Sequence, residues 1–179
     1  MKRTSLSFAI AAFAIATSSA LAQGTTEASP RLARADAGFI RDAAKAGIAE
    51  VESSQLAAQK ASDPAIKSFA QKMVDDHTKA NQELKALAQT KGVELPGEPS
   101  LLQKGKMKAL STADGADFDR RYADGMGVKA HEDAVKLFQK AANGAKDADV
   151  KAFASKTLPT LQAHLKMARE LHTTHSAKK

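Results

Sequence analysis

The sequence predicts an all-α fold, a ferritin-like four-helix bundle of two helical hairpins joined by a long crossover that carries a short helix. Three observations predict it. Apolar residues recur at steps of three and four, the spacing of one helix face, and no stretch shows the alternation of a half-buried strand. Helix starts and stops punctuate the chain at regular intervals. The decapeptide from Asp63 to Lys72, DPAIKSFAQK, resembles the one from Asp147 to Lys156, DADVKAFASK, as expected of two related hairpins around a crossover.

Taken in order, residues 1–22 read as an export signal: Lys2 and Arg3, an apolar run through Phe8, Ile10, Phe13 and Ile15, then Ala20-Leu21-Ala22 before Gln23. Cleavage is expected after Ala22 and places the protein in the periplasm. Residues 23–34 are expected to be a disordered N-terminal segment, 35–172 the bundle domain, and 173–179 a disordered basic tail. Helix A is expected over 36–61 with Asp36 as N-cap. Helix B opens at Asp63-Pro64, an N-cap followed by proline where its missing N–H costs nothing, and stops at Lys91-Gly92. Pro96, Gly97, Pro99, Gly105 and Gly115 surround a segment, 101–110, able to form a few helical turns within the crossover. Helix C covers 116–142 and ends at Asn143-Gly144, and helix D runs from near Asp147 to His172. Pro159 inside helix D should kink it and free the Ser155 carbonyl. His172 and His175 are expected as an exposed pair on a fraying end.

Composition narrows the function. The chain has no cysteine, which excludes disulfides and a lipid on cysteine. Its net charge is +7, and removal of Lys2 and Arg3 leaves 25 basic against 20 acidic residues. Such a surplus could favour an anionic envelope surface or reflect only a solvated exterior. Few aromatics and no long basic cluster argue against nucleic acid, and no later stretch reaches the roughly 20 apolar residues of a transmembrane helix. Nucleophile elbows and phosphate-binding glycine loops are absent from the sequence.

The chemistry-bearing residues lie on the helix stripes. On helix B, His77 falls among Ile66, Phe69, Ala70, Met73, Ala80, Leu84 and Leu87. On helix C, His131 falls on a face with Phe118, Tyr122, Gly125, Val128, Val135, Phe138 and Ala142; on helix D, His164 joins Val150, Phe153, Thr157, Leu161, Ala168 and Leu171. On helix A the turn angle of about 100° per residue points Glu50 inward and Glu52 outward. Counted from the hairpin turns, all four lie near mid-bundle. They could ligate one transition-metal ion (Zn, Fe, Cu, Ni or Mn), or satisfy one another as a metal-free Glu–His network. Asp75, Asp76, Glu132 and Asp133 flank the histidines but point off the stripe and are not expected as ligands.

Further landmarks are Ala49-Glu50-Val51-Glu52 with Gln55-Leu56-Ala57, Phe69 to His77 (FAQKMVDDH), Phe118-Asp119 with Tyr122 ahead of His131, and Leu158-Pro159-Thr160-Leu161 ahead of His164-Leu165. In these the chain resembles the exported bacterial domain-of-unknown-function family 4142, grouped with ferritin-like bundles and often labelled outer-membrane proteins. The resemblance implies the fold and export but no biochemical role. True di-iron sites in such bundles use Glu-x-x-His on two helices, whereas Val74 and Leu161 stand three before His77 and His164; this speaks against a di-iron centre. The expected function is that of a non-catalytic periplasmic protein associated with the envelope or with stress. The alternatives are a mononuclear metal-binding or redox protein using Glu50, His77, His131 and His164, and a protein interaction module centred on 101–110.

Overall fold

The computed structural model describes residues 32–176; the expected export signal, the rest of the segment to residue 31 and residues 177–179 lie outside the described residues. The described residues form helices joined by turns and one longer connection, residues 91–100, with no strand among them. It comprises α1 (Arg34–Lys60), α2 (Pro64–Thr90), α3 (Leu101–Ser111), α4 (Gly115–Tyr122), a π-helical segment (Ala123–Lys129), α5 (Ala130–Gly144) and α6 (Ala148–Ser176). α1 packs most extensively on α2, and α5 on α6; α2 also meets α6 and α1 meets α5, which closes a ring of four. The expected four-helix bundle of two hairpins with a helical crossover is therefore the fold. No described helix is long and apolar enough to cross a membrane.

Local chemistry explains most boundaries. Asp63 caps α2 by accepting the Ala65 N–H at 2.7 Å, ahead of Pro64 at the first helical position. Gly92, at φ 63°, lets the chain turn away after α2, a conformation that glycine adopts without a Cβ penalty. The crossover helix α3 starts on a capping box: Ser100 accepts from the Gln103 N–H, and the Gln103 side chain accepts from the Ser100 N–H. Leu110 of α3 is buried, but Leu101 and Leu102 at its start are exposed.

Several expectations need correction. Helix A starts at Arg34, and Asp36 is no cap: it is buried in α1 and accepts the N–H groups of Lys146 and Asp147 at 3.0 and 2.8 Å. Leu32 packs against the core and Arg34 is helical, although both fall in the segment expected to be disordered; residues 23–31 of that segment lie outside the described residues. At the other end α6 continues to Ser176, beyond the expected start of a disordered tail at 173. His175 is accordingly not an exposed tail residue; its side chain is 7% exposed and bonds Asp63 at 3.1 Å.

The buried residues form two apolar clusters. One gathers Phe39, Ile40, Leu84, Phe138, Val150 and Phe153; the other gathers Ile66, Phe69, Met73, Phe118, Tyr122 and Ala168. Along every helix of the ring buried polar residues separate the two clusters: Glu50 with Ser53 and Ser54 on α1, then His77, His131 and His164 on the other three. The bundle is thus an apolar, polar, apolar stack.

Candidate metal centre

Glu50 and the three histidines each reach the central layer from a different helix. Glu50 is 5% exposed, with Glu52 outside, as the turn angle predicts. His77 is 6% exposed in the middle of the α2 stripe, and His164 is 1% exposed on α6, five residues after Pro159.

His131 is fully buried, but not for the reason its stripe suggested. Nine residues of α-helix turn about 900°, which would set His131 opposite the equally buried Tyr122. The π segment between them contributes one extra residue per turn and returns His131 to within about 80° of Tyr122. The buried face accordingly reads Phe118, Tyr122, Met126, His131, Ala134 and Phe138, with a five-residue step at the π turn; Gly125, Val128 and Val135 are only half-buried. Gly125 and Gly127, weak helix formers, sit in this segment, and a Cβ at 127 would lie 3.1 Å from that of Ala168. The same distortion leaves the Gly127 and Met126 carbonyls in reach of His131 Nδ1, at 2.9 and 3.3 Å.

The three imidazoles form a nearly equilateral triangle, with ring centroids 5.4 Å apart on every side. One nitrogen from each lies within 4.8 Å of the other two, so the three buried histidines could hold a metal ion. The outer nitrogens are tied off. His131 Nδ1–H donates to Gly127, which leaves the Nε2 lone pair facing His77 Nε2 at 3.4 Å. His164 Nε2–H donates to Asp76 at 2.7 Å, which leaves Nδ1 buried without a hydrogen-bond partner. Metal-ligating histidines are typically oriented in this way by a carboxylate or a carbonyl on the far nitrogen. The 3.4 Å separation also matches the roughly 3.3–3.5 Å between two nitrogens that share an ion at bonds of about 2.0–2.1 Å.

Glu50 stands beside the triangle. Its Oε1 lies 3.9 Å from His131 Nδ1, the nitrogen turned toward Gly127, and its Oε2 is buried without a partner. Burial pushes its carboxyl up to about 8 from 4.5. Burial likewise pushes His77 down to about 3, helped by the neighbouring His131 and His164, and His131 to about 4. His164 is also lowered by burial, against the pull of Asp76. Burial would raise Asp76, but Lys72 and His164 outweigh it and hold the carboxyl below its usual value. At neutral pH the three imidazoles are therefore neutral, the state in which they can ligate.

A cavity of about 40 Å³ adjoins the histidines. Glu50, Asp76, His77 and His164 line it together with Leu84, Phe138, Phe153 and Leu161. Asn81, one turn beyond His77, borders it and lies against Gly47, where a Cβ would overlap its amide.

Two contributors were not assigned from sequence. Asp76 points off the α2 stripe, as read, yet it reaches across to α6 and fixes His164. The Gly127 carbonyl becomes an acceptor only through the π turn. The paired glycines Gly125 and Gly127 were the available signal for that distortion.

The chain belongs to the DUF4142 family, a domain of unknown function. The family model matches residues 21–171. No curated protein matches the sequence. Among solved structures, the chain is similar to a DUF305 fragment from Deinococcus radiodurans, with a TM-score of 0.71 at 14% identity over 81% of this chain and 99% of that one. A DUF305 protein from Streptomyces coelicolor, provisionally described as secreted, has a TM-score of 0.67 at 17% identity, covering 79% and 94%. CopM, in a structure of its Cu(I)-bound form, has a TM-score of 0.65 at 20% identity, covering 78% and 96%. At these identities the likeness concerns the helical fold, which this DUF4142 chain shares with all three.

Proposed function

We propose that this protein is an exported, periplasmic, non-catalytic metal-binding bundle that holds one transition-metal ion between His77, His131 and His164, with Glu50 as the adjacent carboxylate. The observation that carries the reading is the orientation of the imidazoles. Asp76 and the Gly127 carbonyl occupy the outer nitrogens of His164 and His131, while the inner nitrogens face one another across a buried gap. A Glu–His network without an ion would leave His164 Nδ1 and Glu50 Oε2 without protein partners, at about 1–3 kcal/mol for each buried polar group.

Three neutral imidazoles suit zinc, copper, iron or nickel. Copper is the first ion to offer, because CopM, with the same fold, has been solved in Cu(I)- and Cu(II)-bound forms. A cation beside Glu50 would favour its ionised form, so the carboxylate could balance the charge. Holding a metal in the envelope, for buffering or under metal stress, is the role we assign to such a site.

The test is metal analysis by mass spectrometry of untagged protein taken from the periplasm, beside the variants His131→Ala and His164→Ala. The expected outcome is one equivalent of a single metal, lost in both variants. Absence of metal from the native protein, after each candidate ion has been offered, would overturn the reading.

A further inference from the structure

We infer that the metal centre keeps a coordination position open toward the adjoining cavity, and that this position takes a small neutral ligand of two or three heavy atoms. The inference rests on the metal-binding reading above and adds a second binding partner to it. Three protein nitrogens converge on the gap, whereas four-coordinate geometry leaves room for one more donor. The 40 Å³ cavity lies against His77 and His164 and is larger than the roughly 10–15 Å³ that a single water needs.

The cavity walls define the ligand class. Leu84, Phe138, Phe153 and Leu161 offer no hydrogen bond and the Asp76 carboxylate in the lining repels an anion, so apart from the charge of the ion itself the walls favour an uncharged molecule. The unpartnered Glu50 Oε2 and the Asn81 amide could accept or donate a hydrogen bond. Glu50 is not within ligand distance of all three imidazoles as it stands, so the fourth position is not taken by the protein. His77 and His164 line the cavity and His131 does not.

Carbon monoxide offered to the Cu(I)-loaded protein and nitric oxide offered to the Fe(II)-loaded protein probe the position, read by the C–O stretch and by electron paramagnetic resonance. Ala80→Leu and Ala43→Val narrow the cavity from α2 and α1 without touching a candidate ligand. A single narrow ligand signal is expected in the native protein, with affinity lowered about tenfold or more in at least one narrowed variant that retains its metal. Full metal loading with no ligand signal, or ligand affinity unchanged in both metal-loaded variants, would overturn the inference and leave the metal reading standing. If neither ion binds, this inference falls, and the metal reading falls with it when zinc and nickel also fail to bind.

Discussion

Protonation of four buried side chains sets the behaviour of the metal-free protein. His77 and His131 stay neutral down to about pH 3 and 4 when folded but charge near 6.5 when unfolded, so between those values the unfolded chain binds the extra protons. Stability from these groups is present above pH 6.5 and is lost as pH falls, at about 1.4 kcal/mol per pH unit for each histidine. Glu50 has the opposite sign: folded, it keeps its proton up to about pH 8, and unfolded it loses it near 4.5, so its contribution declines as pH rises between those values. Below 6.5 the histidines outnumber the glutamate, and above it the glutamate acts alone. The expected Tm of chelator-treated protein therefore peaks near pH 6.5, and Glu50→Gln flattens the alkaline side. A native Tm that climbs from pH 6.5 to 8 would contradict this. Asp76→Ala removes the acceptor that fixes the His164 tautomer and should weaken metal binding by about tenfold to a hundredfold without abolishing it. Glu50, His77 and His164 were legible in the sequence because a residue's place on a helical stripe is fixed by its own neighbours. The Asp76 contact was not, because an acceptor on one helix for a donor on another depends on how the two are packed.

At the scale of the element, the π segment decides whether His131 belongs to the centre. The 3.6-residue period alone cannot bring both Tyr122 and His131 inside, and the run of three-residue steps read from sequence between them is where the extra turn residue lies. Deleting Gly125 should restore α geometry and keep His131 at about 80° from Tyr122, because eight residues of α-helix turn about 800°. The expected result is a retained helical circular-dichroism signal with one equivalent of metal retained; loss of the metal would show that the Gly127 and Met126 carbonyls exposed by the π turn are needed beside the phase. Gly127→Val should destabilise by about 1–3 kcal/mol in thermal or denaturant unfolding, because a larger side chain enters a gap already in contact with Ala168. Regular elements were read well from sequence: the cap at Asp63, the stop at Gly92 and the crossover helix all follow from local residue chemistry. The irregular element was missed because a π turn preserves helix composition and alters only the phase.

For the whole molecule, two aspartates hold the hairpins to each other. Asp36 of α1 accepts from the turn between α5 and α6, and Asp119 of α4 accepts from Ser62 and Asp63 N–H in the turn between α1 and α2, at 3.0 and 2.9 Å. Each hairpin therefore closes the turn of the other. Asp36→Ala and Asp119→Ala should each cost about 2–4 kcal/mol in denaturant unfolding, since each removes charge-assisted bonds to two backbone amides. Asp133→Ala, on an exposed carboxylate, should change stability by less than about 0.5 kcal/mol. The internal repeat in the sequence revealed two hairpins, but this reciprocity joins residues 110 and 57 positions apart and leaves no local pattern to read. It also bears on how the chain acquires its structure. A first hairpin formed alone would carry two turn amides with no carboxylate to meet them, and the second would be in the same position. Neither half can act as a finished template for the other, so docking and turn closure become one event, and the bundle should melt in a single step rather than shedding one hairpin first.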